Sequence, residues 1–308
     1  MKLAVFSFGG KRSVGVVHDD MIFDVSDGSH HFGCLEDLLF AGHDGHLRAR
    51  LAVDKGNGIA LSDVTLHAPI SRPSKFLAIA ANYQSHIDEV LATNPGYVPP
   101  VFQRWFAKLP SCINDPFAPI LMPPETSALD YEAELALVIG SRCRRVKPED
   151  APQVIAGYTI CNDVSARDWQ KRSPTIMLGK SFDSHGPLGP WLVTPDEIPD
   201  PHDLLITCTV NGELRQSGRT GEMLNNCFEQ IAYLSTVCTL EPGDVIATGT
   251  PAGTGAALKP PKLLQAGDVV RCEIERIGAI AAHIVREEID QVERQPSWPQ
   301  ERNMGGSK

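Results

Sequence analysis

Three things are missing from the sequence, and each removes a class of function. The eight cysteines are scattered from Cys34 to Cys272, no two form a Cys-x-x-Cys pair, and several sit inside apolar stretches such as "LLITCTV". Buried free thiols are expected, not a thiolate metal site. No apolar run approaches the length needed to cross a bilayer, and the opening "MKLAVFSFGGKRS" has too short an apolar stretch for a signal peptide. The expectation is a soluble, cytoplasmic protein. Positive charge is scarce too: 28 Lys and Arg against 38 Asp and Glu give a formal net charge of -10, which argues against a nucleic acid or an anionic membrane as partner. An anionic substrate would have to be attracted locally. There is also no internal repeat of fixed period.

What is present is a β-rich chain of 308 residues, 42% hydrophobic and 21% charged, enough for a substantial core. Residues 1–70 carry short alternating runs such as "KLAVFSF" and one helical piece, "CLEDLLFAG", and read as a small β-rich N-terminal region. "APISRPSK" marks the boundary, residues 71–290 form a longer β-rich unit, and 291–308 read as a flexible tail. The proline-laden segment around 90–115 has no sustained period and is expected to be a long ordered loop. "CTVNGELRQ" predicts a hairpin turning at Asn211-Gly212. "NNCFEQIAYLSTVCT" predicts an amphipathic helix capped by Asn225 or Asn226.

The segment "LDYEAELALVIG" raises the chemical question. Glu132 and Glu134 alternate onto one face of a strand, and the apolar "LALVIG" that follows suggests a strand covered on both faces. Two like charges entering such an interior need a partner. Asp163, in "GYTICNDVSARDWQ", supplies a third carboxylate, and three oxygen ligands suit Mg2+ or Mn2+. Taken alone, a Glu-x-Glu pair is more often the solvated face of an edge strand.

Five blocks in order, "FLAIAANYQSHIDE", "FAKLPSCIN", "LDYEAELALVIG", "GYTICNDVSARDWQ" with "GKSFDSHGPLGPW", and "LEPGDVIATGTPAGTG", make the chain resemble the fumarylacetoacetate hydrolase family over about residues 75–285. The resemblance implies a mainly β (α+β) fold, a mixed β-sandwich roll of the family's C-terminal-domain type. It also implies a homodimer, and Glu132, Glu134 and Asp163 as ligands of Mg2+ or Mn2+. By the same resemblance His86 and Glu89 form a catalytic pair on a short helical lid, and Lys180 helps hold substrate. Arg167, Gln170 and Thr250 contact it. Ala80 and Ala81 depart from the Gly and Leu of many relatives, which bears on substrate choice.

The expected activity is hydrolysis of a carbon–carbon bond in an acylpyruvate-like 2,4-dioxo acid, in aromatic or sugar-acid breakdown. The alternatives on the same site are oxaloacetate decarboxylation, isomerisation of a hydroxymuconate-type dienoate, or non-catalytic binding of a metal and a 2-oxo acid. Blander readings stand beside these. Ser85 could cap a helix with Asp88, Arg167 could pair with Asp168, His185 could be a loop residue, and "GTPAGTG" could be a plain turn, since it lacks the Lys-Ser/Thr ending of a phosphate loop. Trp105 and Phe106 could wall the site. His30 and His31 have no chemical company.

Overall fold

The computed structural model describes residues 1–26, 31–54 and 56–288. His30, the end of the 71–290 unit and the expected tail at 291–308 lie outside the described residues.

The fold is mainly β, built on two large mixed sheets. Strands Lys2–Phe8, Lys11–His18, Met21–Asp24 and Gly58–Ala60 form an antiparallel meander. Its first strand then pairs with Gly186–Val193, placing Leu3 opposite Leu192. From there the sheet continues through Ile155–Asn162, Ala133–Ile139, Val245–Ala247, Phe76–Ala80 and Arg104–Lys108, so the N-terminal strands and the later ones share one hydrogen-bonded sheet. A second, five-stranded sheet runs Glu213–Arg219, Leu205–Val210, Val269–Ile274, Gly278–Arg286 and Ile120–Met122.

Strand Ala133–Ile139 is buried at every position. Leu135, Leu137 and Ile139 point towards the second sheet, packing in one cluster with Ile206, Val270 and Ile280. Ala136 and Val138 face the other cluster, with Val5, Val14 and Leu188. The two-sided burial expected from "LALVIG" is what the alternation of strand side chains produces when both faces are covered. Glu134 shares its face with Ala136 and Val138, so its carboxylate has no route to bulk water along the strand.

Local signals come out as written in the sequence. Asn211 and Gly212 both take positive φ, 52° and 79°, between strands Leu205–Val210 and Glu213–Arg219. Helix Cys227–Val237 starts at Asn226, whose side chain accepts from the Phe228 and Glu229 amides while Glu229 returns a bond to Asn226. All eight cysteines are free thiols.

Two expectations need correction. The long loop around 90–115 is interrupted by strand Arg104–Lys108, which pairs antiparallel with Phe76–Ala80. Its alternation was hidden because one of its inward-facing residues is a lysine, Lys108, buried beside Phe106 on the same face. The helix bearing His86 is not capped by Ser85. It runs Gln84–Thr93 with Tyr83 at the N-cap, and the Ser85 hydroxyl instead accepts from the Ala252 amide.

Candidate active site

The acidic cluster is assembled by strand register. Ala133 lies opposite Asn162 and Glu134 opposite Cys161, and the Asp163 amide donates to the Glu132 carbonyl at 2.9 Å. Glu132, Glu134 and Asp163 are therefore neighbours through backbone pairing, with carboxylate oxygens within 4.8 Å of one another. They are 5%, 1% and 0% exposed, so water does not screen their repulsion.

Cations offset most of it. Lys180 Nζ lies 2.7 Å from Glu132 Oε2 and 2.6 Å from Asp163 Oδ2. Lys108 Nζ donates to Asp163 Oδ1 at 2.7 Å and to the His185 and Lys180 carbonyls. Arg167 Nη1 is 2.6 Å from Glu132 Oε1, while its Nε donates to Asp130 Oδ2 at 2.9 Å. Nη2 sits 2.8 Å from that same Asp130 oxygen as an ion pair, with no hydrogen bond among the described residues. Arg167 thus pairs with Asp130 and Glu132, and not with Asp168, which accepts from the Thr126 hydroxyl.

Glu134 is treated differently. Among the described residues it is in no ion pair, and it accepts a single amide bond, from Gly249 at 2.8 Å. Burial, then the charges of Asp163 and Glu132, push its carboxyl well above the usual range. For Glu132 burial also acts upward, but Lys180 and Arg167 outweigh it and hold that carboxyl well below the usual range. Three converging hard oxygen donors, one of them short of countercharge, fit a divalent cation with oxygen preference.

His86 Nδ1 lies 2.6 Å from Glu89 Oε1, one helical turn away. Glu89 is held in turn by the Gly253 amide at 2.7 Å and the Thr254 hydroxyl at 3.0 Å. These donors belong to the "GTPAGTG" loop, whose amides point at carboxylates: Gly249 at Glu134, Gly253 at Glu89, and Gly255, with Ala256 just after the loop, at Asp130. The loop is more than the plain turn expected. At Gly253, with φ 104°, a Cβ would stand 2.0 Å from the Arg215 carbonyl, so only glycine lets the chain approach this closely.

A small inner chamber of about 60 Å³ is lined by His86, Glu132, Glu134, Arg167, Gln170, Lys180 and Thr250, with Phe106 and Ile79 as its apolar wall. Asp163 and Glu89, the other two expected site residues, stand one contact behind, bonded to Lys180 and His86. Gln170 accepts from Arg167 Nη1 at 3.1 Å. Thr250 donates to the Ala133 carbonyl and accepts from Gln216, both at 2.8 Å, so its hydroxyl is engaged within the protein. Trp105 bonds Gln103 and does not line the chamber. Beyond His86, Arg167, Gln170 and Ile176 lies an outer chamber of about 510 Å³.

Sequence reading missed Lys108, Asp130 and the loop amides. Lys108 was a lone lysine in "FAK"; the available signal was that it follows two apolar aromatics in an alternating run. Asp130 stands two residues before Glu132, so the same alternation argument reaches it. His185 lies in a loop, as expected, yet is fully buried; its Nε2 is 2.9 Å from the Leu121 carbonyl, and burial pushes its pKa down to about 4.

Comparison with known proteins places the chain in a family. The family model "Fumarylacetoacetate (FAA) hydrolase C-terminal" matches residues 75–285. Oxaloacetate tautomerase fahd2, mitochondrial, of Xenopus laevis is 44% identical over 254 residues, spanning 82% of this chain and 78% of that protein. Oxaloacetate tautomerase FAHD2A, mitochondrial, of Homo sapiens is 45% identical over 226 residues, spanning 73% and 70%. Among solved structures, maleylpyruvate hydrolase from Sphingobium sp. SYK-6, in complex with manganese (II) ion and pyruvate, superposes with a TM-score of 0.76 at 30% identity, covering 94% of this chain and 100% of its own. Fumarylacetoacetate hydrolase from psychrophilic Exiguobacterium antarcticum gives 0.81 at 38% identity, covering 93% and 100%.

The cytoplasmic expectation is corrected by these relatives, since both tautomerases are mitochondrial by name. Compartment is an address read by receptors, and bulk charge and hydropathy do not carry it. Among the described residues no helix is long and apolar enough to cross a membrane.

Proposed function

Because the chain belongs to the fumarylacetoacetate hydrolase family, we propose that it interconverts the keto and enol forms of oxaloacetate or a closely similar 2-oxo acid. The relatives at 44% and 45% identity are tautomerases, which moves this reading ahead of acylpyruvate hydrolysis. A divalent cation held by Glu132, Glu134 and Asp163 would supply Lewis-acid polarisation of the 2-oxo group.

The protein's own residues carry the rest. Arg167, held by Asp130 and Glu132, and Gln170 orient the acid between the chambers. With Glu89 accepting from Nδ1–H, Nε2 is the basic nitrogen of His86. It takes a proton from the carbon beside the oxo group. The electrons of that C–H bond form the new C=C bond, the carbonyl π pair moves to oxygen, and that oxygen takes the proton that His86 carries, so the ring returns to neutral and no atom is gained or lost. Phe106 and Ile79 limit water around the reacting carbon.

The observation that carries this proposal is the placing of His86 in the same small chamber as Glu132 and Glu134, with Glu89 behind it. Tautomerisation needs only such a base beside a bound 2-oxo acid. The decay of enol absorbance in fresh oxaloacetate with Mg2+ tests it: His86→Gln should lower the catalysed rate by about 10²–10⁴-fold with metal affinity unchanged. A variant rate within about twofold of the parent, measured against that expected loss, would remove the base role.

A second reading, hydrolysis of an acylpyruvate, is favoured by the outer chamber of about 510 Å³, roomier than a four-carbon acid requires. Product analysis separates the two: a tautomerase returns every atom in one molecule, a hydrolase returns two acids, and a decarboxylase releases carbon dioxide.

A further inference from the structure

We propose that Arg104 and Lys171 form a rim that reads a distal carboxylate lying farther from the oxo group than oxaloacetate's own, so that among longer 2-oxo acids the site selects dicarboxylates over monocarboxylates of equal length. The inference rests on the reading of the inner chamber as a 2-oxo-acid site.

Charge points to it first. No Asp or Glu lines the outer chamber, although the chain as a whole carries a formal charge of -10. Two solvent-exposed cations, Arg104 and Lys171, do line it. Every buried cation of the inner chamber is committed to a carboxylate, whereas among the described residues neither of these two is in an ion pair. Arg104 has one hydrogen bond, from Nη2 to the Pro174 carbonyl at 3.4 Å, which leaves most of its fork open. Such a patch in an otherwise acidic surface is where an anionic tail would be held.

Position points the same way. Arg104 opens strand Arg104–Lys108 directly opposite Ala80, a residue lining both chambers. Lys171 caps the C-terminus of the short helix Arg167–Gln170, so the residues that orient the acid and the rim lysine share one element. Between the chambers stand Ala81 and Ile176, with φ of 58° and 53°. Left-handed backbone is costly for a β-branched residue and persists only where the surroundings enforce it. A longer acid lying through this passage would have its oxo-acid head inside, its apolar middle against Ile176 and Val90, and its anionic tail at Arg104 and Lys171.

Calorimetric binding to the Mn2+-loaded protein tests this with three probes: oxalate, which is all head; 2-oxoadipate; and 2-oxohexanoate, of the same length without the second carboxylate. The parent should bind 2-oxoadipate about tenfold or more tighter than 2-oxohexanoate. Arg104→Gln and Lys171→Gln should each cut that ratio about threefold, the double variant should bring it near unity, and oxalate should be unaffected throughout. A parent without preference, or variants that weaken all three probes alike, would overturn the rim. Loss of tautomerase activity with the ratio intact would sink the reaction but not the rim. Intact tautomerase activity with no ratio would sink the rim alone.

Discussion

The inner and outer chambers share His86, Arg167, Gln170 and Ile176, yet handle charge in opposite ways. Inside, carboxylates and cations are packed out of water and nearly every one is bonded to a named partner. Outside, apart from the shared Arg167, the walls are neutral or apolar, and the two further cations, Arg104 and Lys171, are exposed and in no ion pair among the described residues. A buried charge that loses its partner keeps its desolvation cost, while an exposed one is rescued by water. Substitutions inside should therefore cost function and stability together, and substitutions at the rim should change selectivity alone.

The strongest way to break that contrast is at Glu134, the inner carboxylate that is in no ion pair among the described residues. Glu134→Gln keeps the shape and the Gly249 contact but removes one charge from the cluster. Mn2+ affinity should fall by more than about 100-fold, and turnover with it, as it should when EDTA strips the parent. Titration calorimetry of the variant checks this; parental affinity would mean that the triad does not hold the ion.

Lys108 comes next. Its side chain is 0% exposed and it serves Asp163 and two carbonyls at once. Lys108→Met fills similar space but leaves Asp163 short of a partner, so urea unfolding should show a loss of about 3–5 kcal/mol. No comparable loss is expected from Lys171→Gln at the rim.

The smallest effect concerns pH. Burial depresses the folded pKa of His185 from 6.5 to about 4, so the folded state keeps the ring neutral where the unfolded chain takes up a proton. Stability should therefore be fully present above pH 6.5 and decline as pH falls towards 4, by up to about 3 kcal/mol. Denaturation curves between those values should flatten in His185→Gln. An identical slope in parent and variant would assign the acid sensitivity elsewhere.

Much of this was legible because it is local. The Asn211-Gly212 hairpin, an asparagine cap at 225 or 226 and the two-sided burial of "LALVIG" follow from turn chemistry, capping and alternation within about ten residues. Strand Arg104–Lys108 and the roles of Lys108 and Asp130 were not, because a charged residue facing a core looks like a solvated one until its partner is known. That partner lies 55 residues away for Lys108 and 37 for Asp130.

By itself, then, the sequence determined which residue types were available and which way they point along each strand: two glutamates on one face, an aspartate at the end of the next, a histidine and a glutamate one turn apart. Side-chain direction is set by backbone period, and the period is written in the chain. Only the tertiary structure decided that Lys180, Lys108 and Arg167 would cancel most of the acidic charge, that loop amides would hold Glu89 and Asp130, and that Glu134 would stand in no ion pair among the described residues. Those outcomes depend on pairing between distant segments in a medium without water, where each charge is defined by what stands beside it.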